Sequence, residues 1–245
     1  MSKFNFQLIH FNSLDSTNSY AFELLQQQKA KEGTVILADF QKNGKGQLSK
    51  GWESKMGKNL LMSIILMPNI HIEHQSEWNK MVAVSLKNVL DSLSVENVQI
   101  KWPNDILVNS KKIGGILIEN SILGKRISTS VIGIGFNVNQ VNFIEYARLA
   151  TSLKKELNQR FDIKVVVKLI STELQKNYKV FCENSFAFKK EYIENLYGYG
   201  SPLKFEDDES QFIGVILGVL PDGRLQLNKN GKLKSYEVKQ LRFLE

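Results

Sequence analysis

The chain has 245 residues, of which 42% are hydrophobic and 23% charged, and a formal net charge of +7. These are the proportions of an ordinary soluble globular protein, long enough for one sizeable core or a larger domain with a small satellite. A single cysteine, Cys182, excludes an internal disulfide and a cysteine zinc cluster.

The positive charge suits an anionic ligand, an acidic protein partner or nucleic acid, and equally a merely basic surface. No block of like charges marks a nucleic-acid tail. Met1 to Phe6 has no signal-peptide apolar core. The longest apolar run, Leu60 to Pro68, contains Ser63 and is too short to span a bilayer. With a reducing compartment fitting the lone cysteine, the expectation is a cytoplasmic protein with no membrane association.

Phe4 to Phe11 alternates apolar and polar residues, as a short strand does. Asp15-Ser16-Thr17-Asn18 follows, then Tyr20, Ala21, Leu24 and Leu25 at helical spacing, so Ser16 or Thr17 suits the N-cap. The same hydroxyls and the Asn18 amide can also face a small polar ligand, because a helix start offers free N–H groups. Thr34 to Phe40 reads as a buried strand. It opens into Gln41–Trp52, a loop with three glycines and three lysines. Glycine N–H groups can close on phosphate oxygens and lysine adds charge, but a solvated surface loop has the same composition. No Gly-Lys-Ser/Thr follows at the Walker spacing. Asn59 to Leu66 is a strand ended by Met67-Pro68. Trp78, Met81, Val82, Val84, Ser85, Leu86, Val89 and Leu90 make an amphipathic helix whose apolar face is core.

Lys101-Trp102-Pro103-Asn104-Asp105 and Lys112-Ile113-Gly114-Gly115-Ile116-Leu117-Ile118-Glu119 are the most informative stretch. Pro103 interrupts strand pairing, and Asn109-Ser110-Lys111 is turn material. Gly114-Gly115 suggests a bulge, or another molecule against the backbone. A lysine, an amide and a carboxylate at a strand end suit anion binding; an ordinary hairpin with exposed polar residues would read the same way. A hairpin through Leu123–Arg126 leads to a strand-like segment, Ile127 to Asn139. Gly133 and Gly135 there strip one face of side chains, so a flat ring could lie on it with Asn137 at its edge. Tight sheet–helix packing is the other reading. Ala150–Asn158 and Lys164–Phe188 read as helices. From Tyr197 onward, short alternating segments at Leu203–Phe205, Phe212–Val219, Arg224–Leu227 and Leu233–Val238 form a small all-β unit of four or five strands.

Lys101–Asp105 with Lys112–Glu119 resembles the signature of biotin protein ligases, and the Ser16-Thr17-Asn18, Gln41–Trp52 and Gly133–Asn137 segments resemble further family motifs in family order. The resemblance implies an α+β fold: a central mixed, largely antiparallel sheet flanked by helices, class II synthetase-like, over residues 1–196, and a small SH3-like β-barrel over 197–245. It implies ATP-dependent formation of biotinyl-AMP and transfer of biotin to a lysine of a biotin carboxyl carrier protein, with Mg²⁺.

The implied biotin site is Ser16, Thr17, Asn18, Gln41, Gly44, Lys45, Gly46, Gln47, Lys101, Gly114, Gly115, Gly133 and Gly135. The implied nucleotide site is Lys45, Gln47, Trp52, Asn104, Lys112 and Asn137, with Ser152 similar to a polar position nearby. Lys101 is expected to be the central cation, aided by Lys45, with Asp105 orienting or deprotonating the acceptor amine or holding metal. The family's Gly-Arg-Gly-Arg pattern is replaced by Gly44-Lys45-Gly46-Gln47, which loses arginine forks.

A lipoate ligase of the same fold is the nearest alternative, but the urea-matching Ser16-Thr17-Asn18 cluster favours biotin. A non-catalytic biotin-binding protein would not need Lys101. A DNA-binding repressor is disfavoured because the Asp15–Asn18 motif lies too near the start for a helix-turn-helix domain to precede it. The expectation is therefore a monofunctional ligase, monomer or homodimer, with no DNA.

Overall fold

The computed structural model describes residues 5–47, 51–143 and 149–244. Phe4, where the first strand was expected to begin, and Leu48-Ser49-Lys50 of the basic loop lie outside them. In chain order the first body contains β1 (Gln7–Phe11), α1 (Thr17–Gln26), β2 (Thr34–Ala38), β3 (Leu60–Leu66), β4 (Ile70–His71), α2 (Gln75–Ser92), β5 (Val98–Lys101), β6 (Asp105–Val108), β7 (Lys111–Leu123) and β8 (Arg126–Phe136). Then come α3 (Leu153–Leu157), α4 (Ile163–Glu183) and α5 (Lys189–Glu194). The first sheet runs β1-β2-β3-β8-β7-β6-β5, with β4 beside β8. β1 and β2 pair in parallel and the other pairs are antiparallel, so the sheet is mixed and largely antiparallel as expected.

Two helix layers divide the faces of this sheet. Met62, Ile64 and Leu66 on β3 pack with Trp78, Met81, Val82 and Leu86 of α2 and with Val166, Ile170 and Leu174 of α4. The alternate residues Ile36, Ile65 and Val131 pack with Ala21 and Leu24 of α1, as a strand period of two requires. The whole apolar face expected for α2 is buried. Burial of each large side chain there contributes about 1.5–3 kcal/mol. The one polar atom of Trp78, Nε1, is satisfied by Ser130 Oγ at 2.9 Å. On its face of the sheet α1 packs on β2, β3 and β8. Beyond it, toward β7 and β6, that face borders a cleft.

Two helix boundaries differ from the sequence reading, and one helix was not foreseen. The Ala150–Asn158 segment becomes helical only at Leu153, because Ser152 is extended and its Oγ accepts from Lys155 N. Ser152 is therefore an N-cap, buried under α3, with a structural reason for its polarity. The second helix stops at Glu183, before Phe188. Asn184 leaves helical conformation and its Oδ1 accepts from Phe186 N at 3.1 Å, a turn that competes with helix continuation. Lys189–Glu194 then forms the unforeseen α5.

The rest is a second sheet of β9 (Pro202–Glu206), β10 (Gln211–Val219), β11 (Leu225–Lys229), β12 (Lys232–Tyr236) and β13 (Arg242–Leu244), in the order β12-β11-β10-β9-β13 and antiparallel throughout. It has the composition expected of an SH3-like unit, and β13 is the strand that the segment count left open. Phe205, Ile216, Leu225 and Leu227 from this sheet belong to the same apolar cluster as the α2 side of the first.

Candidate functional site

A cavity of about 1930 Å³ opens on the face of β7 and β8 that α1 leaves uncovered. It exceeds the roughly 300–1,000 Å³ of a single small-molecule pocket, so two ligands fit side by side. Its walls are the start of α1, the Gln41–Trp52 loop, the Lys101–Asp105 turn, β7, β8 and residues 238–243. A smaller cavity of about 510 Å³, beside His10, Asp39, Arg160 and Lys164, contains none of the expected site residues.

One end is a polar corner. Ser16 caps α1, as expected, with its Oγ accepting from Ser19 N at 3.5 Å. The next two side chains turn inward and are nearly fully buried. Thr17 N donates to Gln41 Oε1 at 2.7 Å, with Thr17 Oγ1 3.0 Å from the same oxygen. Gln41 therefore presents its carbonyl to the helix and its NH₂ away from it. Asn18 Nδ2 donates to Glu119 Oε2 at 2.6 Å and to Leu117 O at 3.3 Å, while Ser63 Oγ lies 2.5 Å from Asn18 Oδ1 and 2.7 Å from Thr17 Oγ1. The two acceptors beside Nδ2 fix which way the Asn18 amide points. Gly133 makes room for it: a Cβ there would stand 2.4 Å from Asn18 Oδ1.

The floor is glycine. A Cβ on Gly135 would meet the Trp52 ring at 2.5 Å, and one on Gly115 would meet it at 3.1 Å. A flat ring does lie on the glycine face, and it is the chain's own indole. Trp52 is tied to the loop base by its backbone N–H, which donates to Gly44 O at 2.9 Å. Trp52 Nε1 and Gln47 Oε1 are buried and have no hydrogen-bond partner among the described residues. Both border the cavity. Buried polar atoms are rarely left unpaired, so these two suit a ligand's polar groups. Lys45 reaches the α1 start, with Nζ 3.1 Å from Ser19 Oγ.

The other end carries the cations. The Lys101–Asp105 stretch is a hairpin: β5 and β6 pair directly, with the reversal at 102–104 and a cis Trp102–Pro103 peptide. Pro103 thus sits where no ladder hydrogen bond is needed. Asn104 is pinned to β7, its Nδ2 donating to Ile116 O and its own O accepting from Ile116 N, each at 2.9 Å. The bulge anticipated at Gly114-Gly115 falls at Ile113, between the Ile106–Gly114 and Leu107–Lys112 pairs. In a regular strand Lys112 and Gly115 would face opposite ways; the bulge puts both on the cavity. Lys112 Nζ lies 2.6 Å from Asp105 Oδ1, 3.4 Å from where a Gly115 Cβ would be, and 5.4 Å from the Trp52 ring centre. Lys101 Nζ lies 5.0 Å from the Phe243 ring centre and 5.5 Å from that of Tyr197. Lys112, more than Lys101, stands over the glycine floor. Trp102 Nε1 donates to Gly223 O at 3.0 Å, tying the turn to the second sheet.

Of the expected site residues, Ser16, Thr17, Asn18, Gln41, Gly44, Lys45, Gly46, Gln47, Trp52, Lys101, Asn104, Asp105, Lys112, Gly115, Gly133 and Gly135 all border this cavity. Gly114 and Asn137 do not. Gly114 faces the buried layer, where its Cβ would strike the Phe136 ring at 2.7 Å. Asn137 follows the end of β8 and is buried beside α3, its N–H on Ile113 O and its carbonyl accepting from Leu153 N. The sequence reading missed Ser63 and Glu119 as site residues, although Ser63 breaks an apolar run and Glu119 shares strand parity with Gly115. It also missed Leu241, Arg242 and Phe243, which carry no signal of their own. Among the described residues no group of three or more His, Cys, Asp or Glu could hold a metal ion, so Asp105 would be a single carboxylate ligand. No helix of the described residues is long and apolar enough to cross a membrane.

Comparison with known proteins extends these observations. The biotin/lipoate A/B protein ligase family matches residues 10–137. The bifunctional ligase/repressor BirA of Bacillus subtilis is 33% identical over 231 residues, covering 93% of this chain and 71% of that protein. The biotin–[acetyl-CoA-carboxylase] ligase of Paracoccus denitrificans is 31% identical over 127 residues, 51% of each chain. The biotin protein ligase of Aquifex aeolicus, solved in complex with biotin and ATP, superposes with a TM-score of 0.77 at 27% identity, covering 97% of this chain and 98% of that one. A match over more than half of the chain, together with a relative one-third identical across nearly all of it, means that the chain belongs to the biotin/lipoate A/B protein ligase family.

Proposed function

We propose that this protein is an ATP-dependent biotin–protein ligase, with a catalytic unit at 1–196 and an SH3-like unit at 197–245. The observation that carries the reading is a single cavity with a urea-matching corner at one end, a lysine–aspartate pair at the other, and a glycine floor between them. The ureido ring of biotin would enter the Ser16–Asn18 corner, where Gln41 Nε2 and the Ser16 hydroxyl can donate to its carbonyl. The valerate carboxylate would lie toward Lys112.

In the first step a carboxylate oxygen attacks the α-phosphorus of ATP and pyrophosphate leaves, giving biotinyl-AMP. Two anions must meet, and Lys112 is the cation best placed to offset their repulsion, with Lys101 and Lys45 adding charge. Asp105 holds the Lys112 ammonium in place. Mg²⁺ would arrive on the nucleotide phosphates, which suit an ion that usually takes only one or two protein carboxylates; it would supply further charge neutralisation. Trp52 lies over the floor and, with Gln47 at the cavity wall, would keep water from the mixed anhydride. In the second step a neutral lysine amine attacks the acyl carbon, AMP leaves, and the amine loses a proton to give the amide. The acceptor would be a biotin carboxyl carrier protein; the Paracoccus relative is named for acetyl-CoA carboxylase. The reaction needs no membrane, and we place it in the cytoplasm.

The test is biotin-dependent ATP–pyrophosphate exchange, repeated with lipoate, followed by transfer of labelled biotin to a carrier domain. Exchange with lipoate but not with biotin would transfer the assignment to the lipoate branch of the family. Exchange with neither would remove the ligase reading.

A further inference from the structure

The polar corner has an imbalance between donors and acceptors. A cyclic urea brings one carbonyl and two N–H groups, so a pocket must supply both donors and acceptors. Donors are present at Ser16 and at Gln41 Nε2. Acceptors are scarcer. Gln41 Oε1 already receives both Thr17 N and Thr17 Oγ1, and Asn18 Oδ1 has one of its two lone pairs on Ser63 Oγ. Both Nδ2 protons of Asn18 are committed to Leu117 O and Glu119 Oε2. Asn18, buried between β3, β7 and β8, thus has no N–H left for a ligand.

The acceptor with the most capacity to spare, and the charged one at this corner, is Glu119. A carboxylate has about four lone-pair positions, and the Asn18 contact uses one oxygen. Glu119 borders the cavity and follows Gly115 and Leu117 on the same face of β7. It lies four residues, roughly 13 Å, from Gly115 and so from the end where Asp105 pairs with Lys112.

We propose that Glu119 is a specificity-determining residue: one carboxylate oxygen fixes the Asn18 amide, and the carboxylate also accepts an N–H of the ligand's cyclic urea. This deepens the biotin reading and rests on it. A ligand without urea N–H groups, such as a dithiolane acid, would leave that acceptor unused. An ionised acceptor bonds roughly twice as strongly as a neutral one, so the carboxylate adds to discrimination as well as to affinity.

The test is a bump-and-hole titration of the full chain by calorimetry. The ligands are biotin and two analogues carrying a methyl group on one or the other ureido nitrogen. Wild type should reject the analogue methylated on the nitrogen that faces Glu119. Glu119→Ala removes the acceptor and opens space, so it should lose at least tenfold in biotin affinity. The preference for biotin over that analogue should then fall by at least tenfold. A merely structural role would weaken both ligands alike and leave the ratio unchanged, which overturns the assignment. Glu119→Gln keeps the shape and a neutral acceptor, and should raise the biotin dissociation constant roughly five- to tenfold with the fold intact and only a few degrees lost in Tm. Wild-type affinity in Glu119→Gln and an unchanged ratio in Glu119→Ala would together reject a contact at the carboxylate. Failure of the wild type itself to bind biotin would instead overturn the biotin reading, and the assignment with it.

Discussion

Replacing Gly133 by alanine tests the geometry of the site at its tightest point. The new Cβ would stand 2.4 Å from Asn18 Oδ1 and 3.0 Å from its Cγ, against about 3.4 Å for an ordinary contact, so the amide must retreat by about 1 Å. It has no slack in which to do so. Its oxygen is already 2.5 Å from Ser63 Oγ and its nitrogen 2.6 Å from Glu119 Oε2. One or both bonds must lengthen or break. A neutral bond contributes about 0.5–1.5 kcal/mol and a bond to a charged group about 1.5–3 kcal/mol, so losing both costs the corner about 2–4.5 kcal/mol. For a chain of this size that corresponds to a fall in Tm of roughly 4–18 °C.

Biotin affinity should also fall at least tenfold, because the displaced amide moves into the ligand's end of the cavity. Gly114→Ala is the matched control on the opposite face. Its Cβ would meet the Phe136 ring at 2.7 Å, and overpacking of that kind costs about 1–3 kcal/mol. It should lower Tm but leave biotin affinity within threefold of wild type. The assays are thermal unfolding and calorimetric titration of both variants. A Gly133→Ala protein with wild-type affinity, or a Gly114→Ala protein with the larger loss of affinity, would mean that the strand faces are assigned the wrong way round.

Lys112→Met should lower biotin-dependent pyrophosphate exchange on the order of 10²–10³-fold, and Lys101→Met by less, since Lys101 Nζ stands near the Phe243 and Tyr197 rings; Lys112→Met within tenfold of wild type would reject it as the central cation. Gln47→Arg should slow release of preformed biotinyl-AMP roughly ten- to a hundredfold, through a charge-assisted contact of about 1.5–3 kcal/mol. Release at the wild-type rate would show that residue 47 does not face the phosphate. In the second sheet, burial would raise the Asp207 carboxyl, but the Lys229 ammonium, the Ser210 and Glu209 N–H groups and the Tyr236 hydroxyl outweigh it and hold the pKa at about 2. A depressed carboxyl contributes stability above its unfolded value, near 3.8, that is lost as pH falls toward 2. Asp207→Asn should therefore lower Tm at pH 6, and the gap from wild type should close between about pH 4 and pH 2; a constant gap across that range would exclude the ion pair as its cause.

The local features of this protein were legible from its residues. Ser16 caps α1 because a hydroxyl before an apolar helical pattern satisfies a free N–H. The α2 core face, the strand parity that places Gly133 and Gly135 on one side, and a bulge in β7, one residue before the paired glycines that suggested it, follow from periods and propensities within a few residues. What sequence could not supply was the partner of each polar group. Asn18 and Glu119 lie 101 residues apart, and Ser63 and Thr17 lie 46 apart. Nothing near Asn18 in the chain says that its amide is already saturated.

The choice between two lysines was likewise tertiary. Lys101 and Lys112 look equivalent in sequence, but the extra residue at Ile113 turns Lys112 onto the glycine floor, while Phe243 and Tyr197 stand beside Lys101. Gly114 and Gly115 are adjacent and identical, yet one backs onto Phe136 and the other floors the cavity. Sequence period assigns residues to faces, but which face receives a ligand depends on where α1 ends and where residues from the far end of the chain close the wall.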